Sequence, residues 1–214
     1  MIETLWGLGL AAAAFFGVHL VPSLPGLRAR LIATLTRSGY RGLFSLIAAA
    51  SIFWLVWAYI RSPYVELWPV MQWARLVPLA AMPLALILFI GAYAAPAEIK
   101  TIVRHPMLAG VLLWALAHLP ANGDAASLIL FGGFALYAAL DMPLNDARIA
   151  REAPALWAER RRATSLVPFA ALIAGRAGRP SLRRLLLRAV VPGLAAFLIA
   201  LFLHEHIIGF SALP

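Results

Sequence analysis

The chain has 214 residues, 63% hydrophobic and 13% charged, with a mean hydropathy of +0.87 and a formal net charge of +9. A soluble domain averages ~45–50% apolar and ~25% charged residues, so an ordinary water-facing surface is excluded, and a disordered chain with it. Cysteine is absent, which removes disulfides, a Cys-based zinc site and a thiol nucleophile.

What is left is an all-α, polytopic membrane protein. Crossing the hydrocarbon takes roughly 20 mostly apolar residues as a helix, and six segments qualify or come close: 5–21, 42–60, 77–95, 106–119, 126–141 and 186–204. The first follows Met1-Ile2-Glu3-Thr4, which lacks the cationic start of a secretory signal, so it reads as an anchor. The fourth and fifth are short and joined by Ala121-Asn122-Gly123-Asp124. Gly123 permits positive φ and Asp124 can cap the next helix, which predicts a tight helical hairpin. Residues 1–214 read as a single membrane domain with a basic segment at 143–185.

The charge sorts the loops. Arg28, Arg30, Arg37 and Arg41 follow the first segment, Lys100 and Arg104 follow the third, and nine arginines from Arg148 to Arg184 follow the fifth. Only Arg61 and Arg75 belong to the other side, with Arg188 just inside the last helix. Fifteen against two predicts, by the positive-inside rule, an inner-membrane protein with both termini periplasmic. The same arginines explain the high pI through topology and anionic headgroups. No zinc finger, helix-turn-helix or stacking motif accompanies them, so no nucleic-acid partner is expected.

Ionisable groups inside a membrane are costly and therefore candidate functional sites. His19 and His118 sit in apolar runs, where a ligand role and a core role weigh about equally. His105 opens the fourth segment after Arg104 and before Pro106, a position that suits a polar helix cap. His204 and His206 flank Glu205 where the last helix ends and read as interfacial. Asp141 closes the fifth segment and reads as a partner for an arginine. Hydrolytic signatures such as H-E-x-x-H, G-x-S-x-G or a phosphate-cradling glycine loop are missing, and Gly132-Gly133 reads as a close-packing element.

At these residues the chain resembles the NnrU family, whose relatives include plant zeta-carotene isomerase. The likeness runs through His19…Pro22, Gly39-Tyr40-Arg41-Gly42-Leu43-Phe44-Ser45-Leu46 and Arg104-His105-Pro106-Met107-Leu108-Ala109-Gly110. It continues through Trp114-Ala115-Leu116-Ala117-His118-Leu119, Leu130-Phe131-Gly132-Gly133-Phe134 and Thr164-Ser165-Leu166-Val167-Pro168-Phe169. The resemblance implies a role in producing active nitrite and nitric oxide reductases, or haem-dependent isomerisation of a lipid-soluble polyene. It also implies haem b as cofactor, with His19 and His118 as ligand candidates and His105 as a third. Ala115 stands where the isomerase has a cysteine, so a switch to thiolate ligation is ruled out.

A spacing argument constrains the set. His105 and His118 are 13 residues apart, so a regular helix separates them by roughly 20 Å and they cannot share one iron. A second likeness links Arg104-His105-Pro106, Glu152 and Pro168-Phe169 to integral-membrane isoprenylcysteine-type methyltransferases. It implies S-adenosylmethionine at Arg104, His105 and Glu152, though one acid stands where that family has two. A third expectation is a non-catalytic assembly factor for a membrane reductase partner.

Overall fold

The computed structural model describes residues 4–213. It is helical throughout, and no strand occurs among the described residues beyond one isolated bridge between Glu66 and Asp124. The helices in chain order are α1 (Leu5–Leu20), α2 (Pro25–Ile60), α3 (Leu76–Ala94), α4 (Pro96–Ile102) and α5 (Pro106–His118). They are followed by α6 (Ala125–Glu152), α7 (Pro154–Ala163), α8 (Ala170–Ile173) and α9 (Leu182–Ile208). Among the described residues, α1, α2, α3, α6 and α9 are long and apolar enough to cross a membrane, and α4 with α5, bent by 60°, makes a sixth span if the pair is one. Trp6, Phe53, Phe202 and Ile207 are 86, 73, 75 and 71% exposed. Such side chains are at home against lipid tails.

The chain divides into two compact units. The first comprises Asn122–Arg148 and the described residues up to Pro69. Here α1 starts at Thr4, whose hydroxyl accepts the Gly7 N–H at 3.2 Å, as an N-cap should. Its buried positions Leu8, Ala11, Ala12 and Phe15 fall at i, i+3, i+4 and i+7, one helical face, and α1 packs on α2. Asp124 caps α6, accepting the Ser127 N–H at 3.0 Å, in agreement with the turn chemistry. The 62–69 loop is tied to that turn by Leu67 and Trp68 N–H groups on the Gly123 carbonyl, at 2.7 and 3.1 Å.

Two spans depart widely from the sequence expectation, and α9 runs four residues further than expected at each end, Leu182–Ile208 against 186–204. The arginines at 28, 30, 37 and 41 lie in α2, which begins at Pro25 rather than at residue 42. Arginine is a good helix former, so a basic segment next to a span extends the helix at little cost. A kink at Thr36, with φ 63° and ψ 167°, separates the two parts. The Thr36 hydroxyl accepts from the Gly39 N–H at 3.3 Å and so caps the second part. A β-branched residue in that region is strained by about 1–3 kcal/mol. Thr36→Gly is therefore expected to raise stability by about 1 kcal/mol, read as a higher thermal midpoint in detergent. A lower midpoint would mean that the hydroxyl cap outweighs the strain.

The fifth span is long rather than short. α6 passes Asp141 and Pro143 and ends at Glu152, with a π-helical turn at Leu128–Gly132. Beyond Tyr137 its polar residues continue as one stripe, Asp141, Asn145 and Arg148, at helical spacing. Asn145 donates to Asp141 at 3.4 Å, and Arg148 donates to Asn145 at 2.6 Å.

The second unit comprises Val70–Ala121 and the described residues from Ile149 onward. α3 packs against both α5 and α9. Small residues bring these helices together: a Cβ on Gly110 of α5 would lie 2.7 Å from the Ala85 carbonyl oxygen, and one on Gly193 of α9 would lie 2.7 Å from Ile87 Cα. Glu98 of α4 is buried and forms an ion pair with Arg184 at the start of α9. Leu88, Ile99 and Val103 form a buried apolar cluster beneath it.

Candidate functional site

In the first unit, His19 lies near the end of α1. Its Nδ1 is 2.8 Å from the Phe15 carbonyl oxygen. A carbonyl only accepts, so Nδ1 carries a proton, and in the neutral ring the lone pair is then on Nε2. This is the neutral tautomer a metal-binding imidazole needs, and the backbone contact is of the kind that orients such ligands. Phe15, Phe44 and Tyr137 surround the ring at centroid distances of 4.1, 5.8 and 6.0 Å. Tyr40 packs on Phe44 at 6.1 Å, and its buried hydroxyl has no hydrogen-bond partner among the described residues.

Next to this aromatic cluster is a polar one. Asp141 is buried and accepts from Ser23 at 2.6 Å and from Tyr137 at 3.3 Å. The Tyr137 hydroxyl also lies 3.4 Å from the His19 carbonyl oxygen. The expectation that Asp141 meets an arginine is revised by these bonds. Arg148 reaches it through Asn145, because the helix continues and puts an amide one turn beyond the acid.

In the second unit, His118 ends α5 and repeats the pattern seen at His19. Its Nδ1 donates to the Trp114 carbonyl at 2.8 Å, again placing the lone pair on Nε2, and the Trp114 ring lies 5.7 Å away. His204 lies near the end of α9. Its Nδ1 donates to the Phe210 carbonyl at 2.8 Å. His105 occupies the opposite end of α5 from His118, as its N-cap residue, buried and without a side-chain capping bond. No group of three or more His, Cys, Asp or Glu able to hold a metal ion occurs among the described residues.

The most elaborate polar construction in the second unit is centred on Arg104. Its side chain is buried, donating from Nε to the Thr164 hydroxyl at 2.9 Å and from Nη2 to the Thr164 carbonyl at 3.1 Å. The Arg104 N–H donates to the Ser165 carbonyl at 2.8 Å, and the guanidinium stacks over Trp157 at 5.0 Å. Thr164 ends α7 and turns its hydroxyl back to the Arg160 carbonyl at 2.7 Å. Ser165 then fixes the following loop, donating to the Val167 carbonyl and accepting the Ala171 N–H at 2.8 and 2.9 Å.

Phe169 adopts a left-handed conformation with φ 65°, and its N–H donates to the Ile102 carbonyl at 2.7 Å. Gly175, at φ 66°, closes α8 with the Gly175 N–H on Leu172 and the Arg176 N–H on Ala171, at 3.0 and 2.9 Å. That is the Schellman pattern, and it needs a residue with no Cβ penalty at this point. Arg176 then folds back so that Nη1 donates to the carbonyls of Arg161 and Arg162, at 3.2 and 2.8 Å. A cavity of about 410 Å³ results, walled by Arg104, Arg161, Thr164, Ser165, Ala170 and Arg176. Glu152, the exposed last residue of α6, is not among its lining residues. Arg104 and His105, neighbours in sequence, both lie in the bend between α4 and α5.

The family model described as NnrU protein matches residues 7–212. No curated protein and no solved structure matches the chain.

Proposed function

The chain belongs to the NnrU family, and on that premise we propose that it is a multi-pass membrane protein that binds haem b through histidine. The observation that carries this reading is the His19 imidazole, held by the Phe15 carbonyl in the tautomer with its lone pair on Nε2 and walled by Phe15, Phe44 and Tyr137. The unpartnered buried hydroxyl of Tyr40 in the same aromatic cluster fits a bound group with polar edges. His118 has the same Nδ1 contact and is the other residue that would hold the iron, in its own unit. His105 cannot share an iron with His118, because the length of α5 lies between them.

When bound, haem b supplies one-electron redox chemistry. The chain's residues supply orientation: the backbone carbonyls fix the imidazoles, and the aromatic rings flank the His19 ring. The resemblance points to support of nitrite and nitric oxide reduction. Ala115, in place of a cysteine, favours that over isomerase chemistry. The arginine asymmetry supports an inner-membrane location with both termini periplasmic.

The test is an absorption spectrum of protein purified after expression with haem supplied. A Soret band that shifts on reduction is expected, with haem occupancy falling at least about tenfold in His19→Ala or His118→Ala. Protein that carries no Soret band overturns the reading. His204→Ala, measured beside them, separates a role for that ring from helix-end solvation.

A further inference from the structure

His19 sits in the last turn of α1, where an imidazole is hardest to hold in one direction. The last carbonyls of a helix lack intrahelical partners, and terminal turns open more readily than the interior. After Leu20 the chain tightens into a 3-10 turn over Val21–Ser23, and Pro22 has no N–H to donate. The Nδ1 contact of His19 with the Phe15 carbonyl reaches four residues back along the helix. It therefore lasts only while this turn stays wound.

Two residues of α6 secure that turn. Tyr137 and Asp141 are four positions apart and share one face of their helix. Asp141 is buried and accepts from Ser23, just past the end of α1, at 2.6 Å. The Tyr137 hydroxyl lies 3.4 Å from the His19 carbonyl oxygen and 3.3 Å from an Asp141 oxygen. Its single proton can serve either acceptor, so the carbonyl and the carboxyl group share one donor. The Tyr137 ring also meets the His19 ring edge-on at 6.0 Å and is itself stacked on Phe16 of α1 at 5.8 Å. Asn145 and Arg148 brace Asp141 from the next turn, at 3.4 and 2.6 Å.

A buried carboxyl group in a span is costly and marks a functional position by default. Apolar packing could join α1 to α6 without that cost, and Phe15 and Phe16 already pack on Phe134, each at 5.2 Å. What the polar pair adds is direction. It pins the chain on both sides of Leu20, at His19 and at Ser23, and so sets the edge that the His19 Nε2 presents.

We propose that Tyr137 and Asp141 are positioning residues for His19, holding the end of α1 so that Nε2 keeps one direction. The proposal rests on the reading of His19 as an iron ligand. Groups behind a ligating imidazole set its orientation and the strength of its bond to the metal.

The full-length protein with nitrogen-15-labelled histidine is placed in nanodiscs at about pH 8, where imidazole is neutral, and its ring nitrogens are read by NMR. His19→Ala assigns the His19 signals. Wild type is expected to show His19 in the Nδ1–H form alone. Tyr137→Phe keeps the ring and removes only the hydroxyl, and Asp141→Asn keeps the shape and exchanges an acceptor oxygen for an amide. Both variants are expected to mix the Nδ1–H and Nε2–H forms. Haemin titrated into the same samples, followed by absorbance, is expected to bind about tenfold more weakly to each. Tyr93→Phe, which removes a hydroxyl bonded to Met107 in the second unit, is expected to change neither. An Nδ1–H form alone in both variants overturns the proposal, whatever their thermal stability or haemin affinity. Wild type that binds no haemin, with mixed tautomers in the variants, supports the positioning and overturns the iron-ligand reading instead.

Discussion

Gly110→Ala and Gly193→Ala are expected to destabilise the protein, whereas Gly9→Ala is expected to stabilise it. All three are glycines inside helices, where alanine gains about 1 kcal/mol in intrinsic propensity. The surroundings decide the sign. No atom lies within 4 Å of a Cβ built on Gly9, so the propensity gain stands. A Cβ on Gly110 lies 2.7 Å from the Ala85 carbonyl oxygen and 3.2 Å from the Phe89 nitrogen. On Gly193 it lies 2.7 Å from Ile87 Cα and 2.9 Å from Ile87 N. These neighbours are backbone atoms of α3 and cannot rotate away, so α5 or α9 must move off α3. Overpacking of this kind costs roughly 1–3 kcal/mol, and here it also opens the small-residue contacts that hold membrane helices together. The measurement is the thermal midpoint in detergent, followed by size-exclusion chromatography of heated samples. Lower midpoints for the 110 and 193 variants with a higher one for residue 9 are the expected pattern. A rise at 110 or 193 would show that α3 does not approach these helices as closely as described.

These glycines also show what was legible in the sequence. The ends of the first and third spans agree with α1 and α3 to within a residue, because uninterrupted apolar runs end at proline, glycine or charge. Asp124 was legible as a cap because capping is local chemistry between a side chain and an amide three residues on. The early start of α2 was hidden by Arg28, Arg30, Arg37 and Arg41, which look like loop residues in a hydropathy profile but sit well on an exposed helix. The extension of α6 was hidden by Asp141 and Pro143. Asp141 resembles a helix end only until Ser23, Tyr137 and Asn145 are seen to satisfy it.

The sites divide in the same way. The tautomers of His19 and His118 rest on contacts four residues back in a helix, so they were inferable from helical spacing once each histidine was placed near a helix end. Arg104 and Thr164-Ser165 were each singled out, but 60 residues separate them. Nothing local said that the buried guanidinium would take its acceptors from that loop, or that Arg176 would fold back to wall a cavity with it.

Replacing Arg104 should therefore have consequences well beyond its own helix. In Arg104→Ala, the Thr164 hydroxyl and carbonyl each lose a charged donor, and Trp157 loses its stacked cation. Thr164 and Ser165 are buried, so water replaces those bonds poorly. The loss amounts to about 2–4 kcal/mol, concentrated on residues 164–177. Hydrogen exchange of the amides from Thr164 to Ala177 should accelerate, while the caps of α1 and α6, which rest on Thr4 and Asp124, keep their protection. Arg104→Lys keeps the charge but not the planar fork, so it can satisfy one of the two Thr164 acceptors and should fall between alanine and wild type. Arg161→Gln, by contrast, should leave this exchange unchanged, since it is the Arg161 carbonyl that accepts from Arg176. Exchange that is unaltered in Arg104→Ala would show that the Ser165 carbonyl bond to the Arg104 N–H, which alanine retains, is enough to hold the loop. The guanidinium would then serve the cavity alone.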